Sequence, residues 1–223
     1  MIASSSAHEQ LSASFSSGET TPRQAQKTER KILLVNTCDL PDPFADEMKF
    51  LMGQVFSAET TVLKVPFPHA SASPDRQYPA REFLQYLQRF AAEKTVVAAI
   101  ADPDLSYPGL NFIFGLSDHE NGVAVVSVYR FLGKKKVAQS DRRAFERTLK
   151  TAVHEVGHLY GLSHCKDQKC AMFFSFDVAD TDHKQKEFCG RCAEKLNRIQ
   201  SGYSVCDRQK KSPGEASMNH RGR

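Results

Sequence analysis

HEVGHLYGLSHC, residues 154–165, crowds three histidines, a glutamate, a glycine and a cysteine together, and the rest of the chain is read outward from it. Phe145, Leu149, Ala152, Val153, Val156 and Tyr160 recur at three- and four-residue intervals, which predicts an amphipathic helix with a buried apolar face. Ser140 is placed to cap its start and Gly161 to end it. On that helix His154 and His158 are i,i+4 neighbours on one face, offset from the apolar stripe. Both imidazoles then reach one ion at a Zn–N distance of about 2.0–2.1 Å. Glu155 is turned to the side, which suits a base acting on a metal-activated water better than a ligand.

One straight helix cannot surround an ion, so a third ligand has to arrive from beyond it. Gly161 lacks a Cβ and can take a left-handed conformation, turning the chain so that His164 returns to the same ion. Three protein ligands leave a fourth position open, the property that separates catalytic from structural zinc sites. HExxH alone also occurs as ordinary polar surface on unrelated helices. The extension HExxHxxGxxH adds a glycine with a specific geometric task and a further histidine, and it weighs against a purely structural reading.

Upstream the pattern alternates. KILLVNTC (31–38) is a short apolar run, as expected of a buried strand. Beyond Pro41 and Pro43, Met48, Leu51, Met52 and Val55 stand at helical spacing. TTVLKVPF (60–67) alternates like a strand until Pro66, and AREFLQYLQRFAAE (80–93) sets Phe83, Leu84, Leu87 and Phe90 on one helical face. TVVAAIADPD (95–104) is another strand, and YPGLNFIFGLSDHENGVAVVSVYRFL (107–132) reads as a hairpin turning at SDHENG. The series predicts a mixed β-sheet with helices packed against it, an α/β (α+β) layer architecture.

The 223 residues suffice for one well-buried domain, and 40% hydrophobic with 25% charged residues is ordinary for a globular protein. The net charge of +4 collects in runs such as Lys134-Lys135-Lys136 and in the last residues, which describes local patches and disfavours a nucleic-acid partner. No stretch approaches the roughly 18 apolar residues of a spanning helix. MIASSSAHEQLSASFSS lacks the basic n-region and apolar core of a secretory signal, and Glu9, Glu19 and Glu29 argue against a transit peptide. The chain therefore reads as intracellular and cytoplasmic, with a monomer as the favoured state. Residues 1–30 and 206–223 carry few bulky apolar side chains and read as disordered tails around one domain, residues 31–205.

Past the third histidine come CKDQKCAM (165–172) and CGRC (189–192). With HEVGHLYGLSH, a long metzincin-type zinc motif, these resemble the archaemetzincin family of metalloproteases. That family's pattern continues with two cysteines, a methionine and a CxxC; the interval from Met172 to Cys189 departs from it by one residue. YPGLNFIFG and VAVVSVYR also resemble the family's strands, so the similarity spans residues 31–205. The resemblance implies a zinc-dependent peptidase with a compact domain divided by its cleft. His154, His158 and His164 would ligate the catalytic zinc, Glu155 would be general base and proton shuttle, and Met172 would occupy a Met-turn beneath the metal. From the residues alone, Met172 reads equally well as core packing.

Cys165, Cys170, Cys189 and Cys192 form two pairs separated by a short excursion, the layout of a closed four-cysteine site. A second, structural zinc is expected there, making two zinc ions per chain. A redox CGRC pair and two disulfides stay open as alternatives. Cys38 and Cys206 read as bystanders, His119 and Glu120 as a polar hairpin turn, and His183 as solvent-exposed, while His69 and His220 carry no pattern. The functional expectation is hydrolysis of peptide or protein substrates, with NFIFG or VAVVSVYR offering a strand edge to an extended peptide. The competing expectation is a non-catalytic zinc-binding interaction module using the cysteine site and basic surface.

Overall fold

A computed structural model of the chain describes residues 30–38, 40–68, 77–132 and 141–202. The elements run β1 (Lys31–Asn36), α1 (Asp42–Phe56), β2 (Thr60–Lys64), β3 (Tyr78–Pro79), α2 (Ala80–Leu87) and β4 (Thr95–Ala101). Then follow β5 (Leu105–Tyr107), β6 (Leu110–Ile113), β7 (Gly115–Asp118), β8 (Val123–Ser127) and α3 (Tyr129–Leu132). The chain continues through α4 (Arg142–Leu159), α5 (Val178–His183) and α6 (Gly190–Gln200).

The main sheet has the order β2-β1-β4-β8-β7. Its first four strands are parallel, and β7 turns back antiparallel on β8 with Gly115 opposite Val126 and Asp118 opposite Val123. Alternation along each strand sorts side chains onto two faces. Ile32, Leu34, Val96, Ala98, Ile100, Ala124 and Val126 pack against Met48, Met52 and Phe56 of α1 and Leu149, Ala152, Val153 and Val156 of α4. Val35, Val97, Ala99, Ala101, Val123 and Val125 face the other way, onto Phe83, Leu84 and Leu87 of α2. Full burial of such aliphatic and aromatic side chains contributes about 1.5–3 kcal/mol each. The result is a mixed sheet with helices on both faces, the α/β layer architecture expected.

Two local expectations change. The segment expected as one long hairpin arm breaks at Phe114: β6 joins β5 and β3 in a separate three-stranded sheet, and only β7 continues onto β8. Ser140 lies outside the described residues, and the cap of α4 is Asp141, whose Oδ1 accepts from the Ala144 N–H at 3.0 Å. The expected tails fall outside the described residues apart from Arg30.

Candidate metal centres and active site

α4 lies across the sheet next to α1, with Phe44 stacked on Phe145 and Phe56 on Tyr160. This buries one stripe of the helix and leaves the His154–His158 flank facing the segment that follows it. Gly161 then adopts φ +89°, in the region that favours glycine, and the chain reverses as the spacing required.

The reversal brings the three imidazoles together. His158 Nε2 stands 3.2 Å from His154 Nε2 and 3.3 Å from His164 Nε2. His154 Nδ1 lies 2.8 Å from Ala171 O, and His158 Nδ1 lies 2.8 Å from Leu162 O. A carbonyl only accepts, so these Nδ1 atoms carry hydrogens and both Nε2 lone pairs point into the cluster. A tetrahedral ion with nitrogens at about 2.0–2.1 Å sets its ligands about 3.3–3.4 Å apart, which the observed spacing fits. Burial, and then the nearby Lys184 charge, hold the His154 ring well below the usual histidine range; burial also pushes His158 down. Neutral imidazole is the form that ligates zinc.

Glu155 is buried beside this cluster, against the edge strand. A Cβ on Gly115 of β7 would lie 2.8 Å from Glu155 Oε1 and Cγ, so the strand approaches the carboxylate only because that residue is glycine. Met172 is fully buried, and its sulfur occupies the space that a side chain on Gly157, between the two helical histidines, would need. These two glycines escaped the sequence reading, although glycine inside a strand and inside a helix are both signs of close approach.

Lys184 was missed as well. It sits in the polar-looking DHKQKE yet is only 2% exposed, and its Nζ donates to Phe173 O at 3.2 Å. Burial pushes its ammonium down to about 8, partly offset by the Glu155 charge. His183 is exposed, as expected.

The four cysteines gather at the far side of the same loop. One ligand-type atom from each of Cys165, Cys170, Cys189 and Cys192 lies within 4.8 Å of the others, and Cys165 Sγ stands 3.7 Å from Cys189 Sγ. That separation is far beyond a disulfide and close to the spacing of about 3.8 Å between sulfurs on a tetrahedral zinc. Cys189 occupies the position just before α6, and the nearby Cys192 backbone N–H brings its thiol down to about 7. Burial, followed by the neighbouring thiols, pushes Cys192 up, and burial pushes Cys170 up. Thiolates crowded this closely repel one another, which a dication relieves. The CxxC stands at a helix start without a thioredoxin-like strand ahead of it, and Cys38 is buried apart from the cluster.

Helix-borne imidazoles flanking a buried carboxylate, set under the edge of a mixed sheet, are the equipment of a zinc metallopeptidase, and that is the class of this protein. The sequence model described as Peptidase family M54 matches residues 81–198. The archaemetzincin of Pyrococcus furiosus is 40% identical over 141 residues, 61% of this chain and 73% of that one. The Methanopyrus kandleri archaemetzincin is 36% identical over 157 residues, 70% of this chain and 86% of that one. The crystal structure of the M. kandleri protein superposes with a TM-score of 0.65 at 33% identity, covering 78% of this chain and 97% of that one. A zinc-dependent peptidase from Methanocorpusculum labreanum also gives 0.65, at 28% identity over 74% of this chain and all of that one. The chain belongs to peptidase family M54, the archaemetzincins. Its substrates are accordingly peptides or proteins, and no described helix is long and apolar enough to cross a membrane.

Proposed function

We propose that His154, His158 and His164 hold a catalytic zinc, and that Cys165, Cys170, Cys189 and Cys192 hold a second, structural one. The observation that carries the first assignment is the convergence of the imidazoles with two Nδ1 hydrogens already committed to backbone carbonyls. When bound, the catalytic zinc supplies Lewis acidity, acidifying water and polarising the scissile carbonyl.

The protein supplies the rest. Glu155, held between α4 and β7, is the general base: its carboxylate takes a proton from the attacking water and hands it to the leaving amide nitrogen. Gly161 turns the chain to deliver His164, and Met172 supports the helix under the ligands through Gly157.

Of the two runs expected, VAVVSVYR falls on the interior strand β8, while NFIFG ends at Gly115, where β7 begins. β6 belongs to the small sheet and β8 is interior, whereas β7, starting at Gly115, is the outer strand of the main sheet. We assign β7 as the edge along which an extended peptide adds, since it is the strand that packs on Glu155. The main sheet and α4 form one layered unit, which supports residues 31–205 as a single catalytic domain.

Glu155→Gln tests the mechanism. It should keep its zinc and lose peptidase activity by about 10²- to 10⁴-fold, the usual contribution of a positioned acid–base group; full activity in the zinc-loaded variant would overturn the role. Metal analysis of wild type, His158→Ala and Cys189→Ser tests the stoichiometry: two ions in wild type, each lost with its own variant, is the expected result.

A further inference from the structure

The turn joining β7 to β8 reaches over to the end of α4. His119 Nδ1 lies 3.1 Å from His158 O and 3.1 Å from Leu159 O. Carbonyls only accept, so Nδ1 bears the hydrogen and shares it between them. Both belong to the last turn of α4, where His158 O also accepts from the Gly161 N–H at 2.8 Å and Leu159 O from Arg30 Nη1 at 3.5 Å, so His119 adds a second donor to each. The ring stands beside Gly161, with Cε1 3.8 Å from where a Cβ would lie. His119 is exposed, so this contact is not ordinary core packing.

We infer that His119 is a positioning residue for the catalytic zinc. It grips the carbonyl of one ligand, His158, at the point where the chain leaves α4 for Gly161 and His164. His158 and His164 are six positions apart, and His158 Nδ1 is itself tied to Leu162 O within that interval. A rotation of the peptide after His158 therefore swings the second ligand's restraint and the third ligand's approach together. The same hairpin carries Gly115 against Glu155, so one element registers the base and the end of the ligand helix to each other. This rests on the assignment of the three histidines as zinc ligands.

The test uses the full chain loaded with zinc, and follows release of each ion to a graded chelator in wild type, His119→Ala, His119→Asn and His119→Phe. Asparagine presents an N–H the same number of bonds from Cβ as Nδ1; phenylalanine keeps a ring without a donor. Removing an outer hydrogen bond from a metal site costs about 10- to 100-fold in affinity, so the alanine and phenylalanine variants should lose the histidine-site zinc about tenfold more readily. The cysteine-site zinc should be held as in wild type, and asparagine should restore most of the loss. Wild-type retention in His119→Ala, retention in His119→Phe with none in His119→Asn, or joint loss of both ions would each overturn the inference. If instead wild type holds no ion that His158→Ala removes, the ligand assignment itself fails.

Discussion

At the scale of single residues, the active site depends on side chains that are absent as well as on those present. Met172 fills the space over Gly157, and Phe188 Cε1 lies 3.5 Å from where a Cβ there would stand. Gly157→Ala gains helix propensity but overpacks a buried contact, and overpacking usually costs about 1–3 kcal/mol. A urea unfolding midpoint below wild type, with less zinc retained at the histidine site, is the expected outcome. Gly115→Ala acts on the other side. Its Cβ would meet Glu155 Oε1 at 2.8 Å and Val125 O at 2.9 Å, so the carboxylate has to move. That variant should keep its zinc while its kcat falls, as steady-state kinetics on a peptide substrate would read. His154, Glu155 and His158 were legible because helix geometry relates them over four residues, and His164 because Gly161 turns the chain back toward them; the glycines' partners are distant in sequence, and nothing local names them.

At the scale of elements, α5 is bound to α4 mainly through one carboxylate. Asp182 accepts from Arg147 Nε at 2.7 Å and Nη2 at 2.8 Å, and from Arg143 Nη2 at 2.8 Å. Lys150 Nζ donates to the Thr181 and Asp182 carbonyls. Arg147 is largely buried, so Asp182→Asn leaves its guanidinium short of a counter-charge, and a lost charged hydrogen bond costs about 1.5–3 kcal/mol. The Arg147 hydrogen bonds, and then those of Arg143, hold the Asp182 carboxyl down at about 2. A carboxyl whose folded pKa lies below its unfolded value stabilises the fold above about pH 4 and loses that contribution as pH falls toward 2. Wild type should therefore lose more stability than Asp182→Asn over that window, measured as the difference in urea midpoint. Hydrophobic periodicity revealed α4, but α5 is a single short polar turn with no apolar period to find.

At the scale of the whole molecule, the protein has two unequal sources of order. The strands β1, β2, β4, β7 and β8 with α1, α2 and α4 rest on an extensive apolar core on both sheet faces. Of residues 165–200 only Cys170, Ala171, Met172, Thr181, Lys184, Leu196 and Gln200 are buried, Cys170, Ala171, Met172 and Leu196 of them in the core under the sheet, and the segment gathers its four thiols at one point. With a zinc on the four thiols as proposed, and zinc about a thousandfold above its Kd, binding would add about 4 kcal/mol. For a domain of this size that corresponds to about 8–16 °C in Tm. Stripping the metal should lower Tm by that order, and hydrogen exchange should quicken in residues 165–200 before the main sheet. Equal exchange in both regions would contradict the division.

The chain by itself determined the features that short-range geometry controls. These are the i,i+4 histidines, the glutamate between them, the φ +89° turn at Gly161 and the two cysteine pairs. Each follows from helix pitch, from glycine's missing Cβ or from the spacing of thiols, all set within a few residues. Tertiary structure decided the rest: that Leu110–Ile113 leaves the hairpin for another sheet, that β7 forms the outer edge, and that Gly115, Gly157, Lys184 and His119 close around the site. A strand run carries no label for its neighbour. Partners far apart in sequence are chosen by which packing buries both sheet faces at once, and that choice exists only when the whole chain is folded.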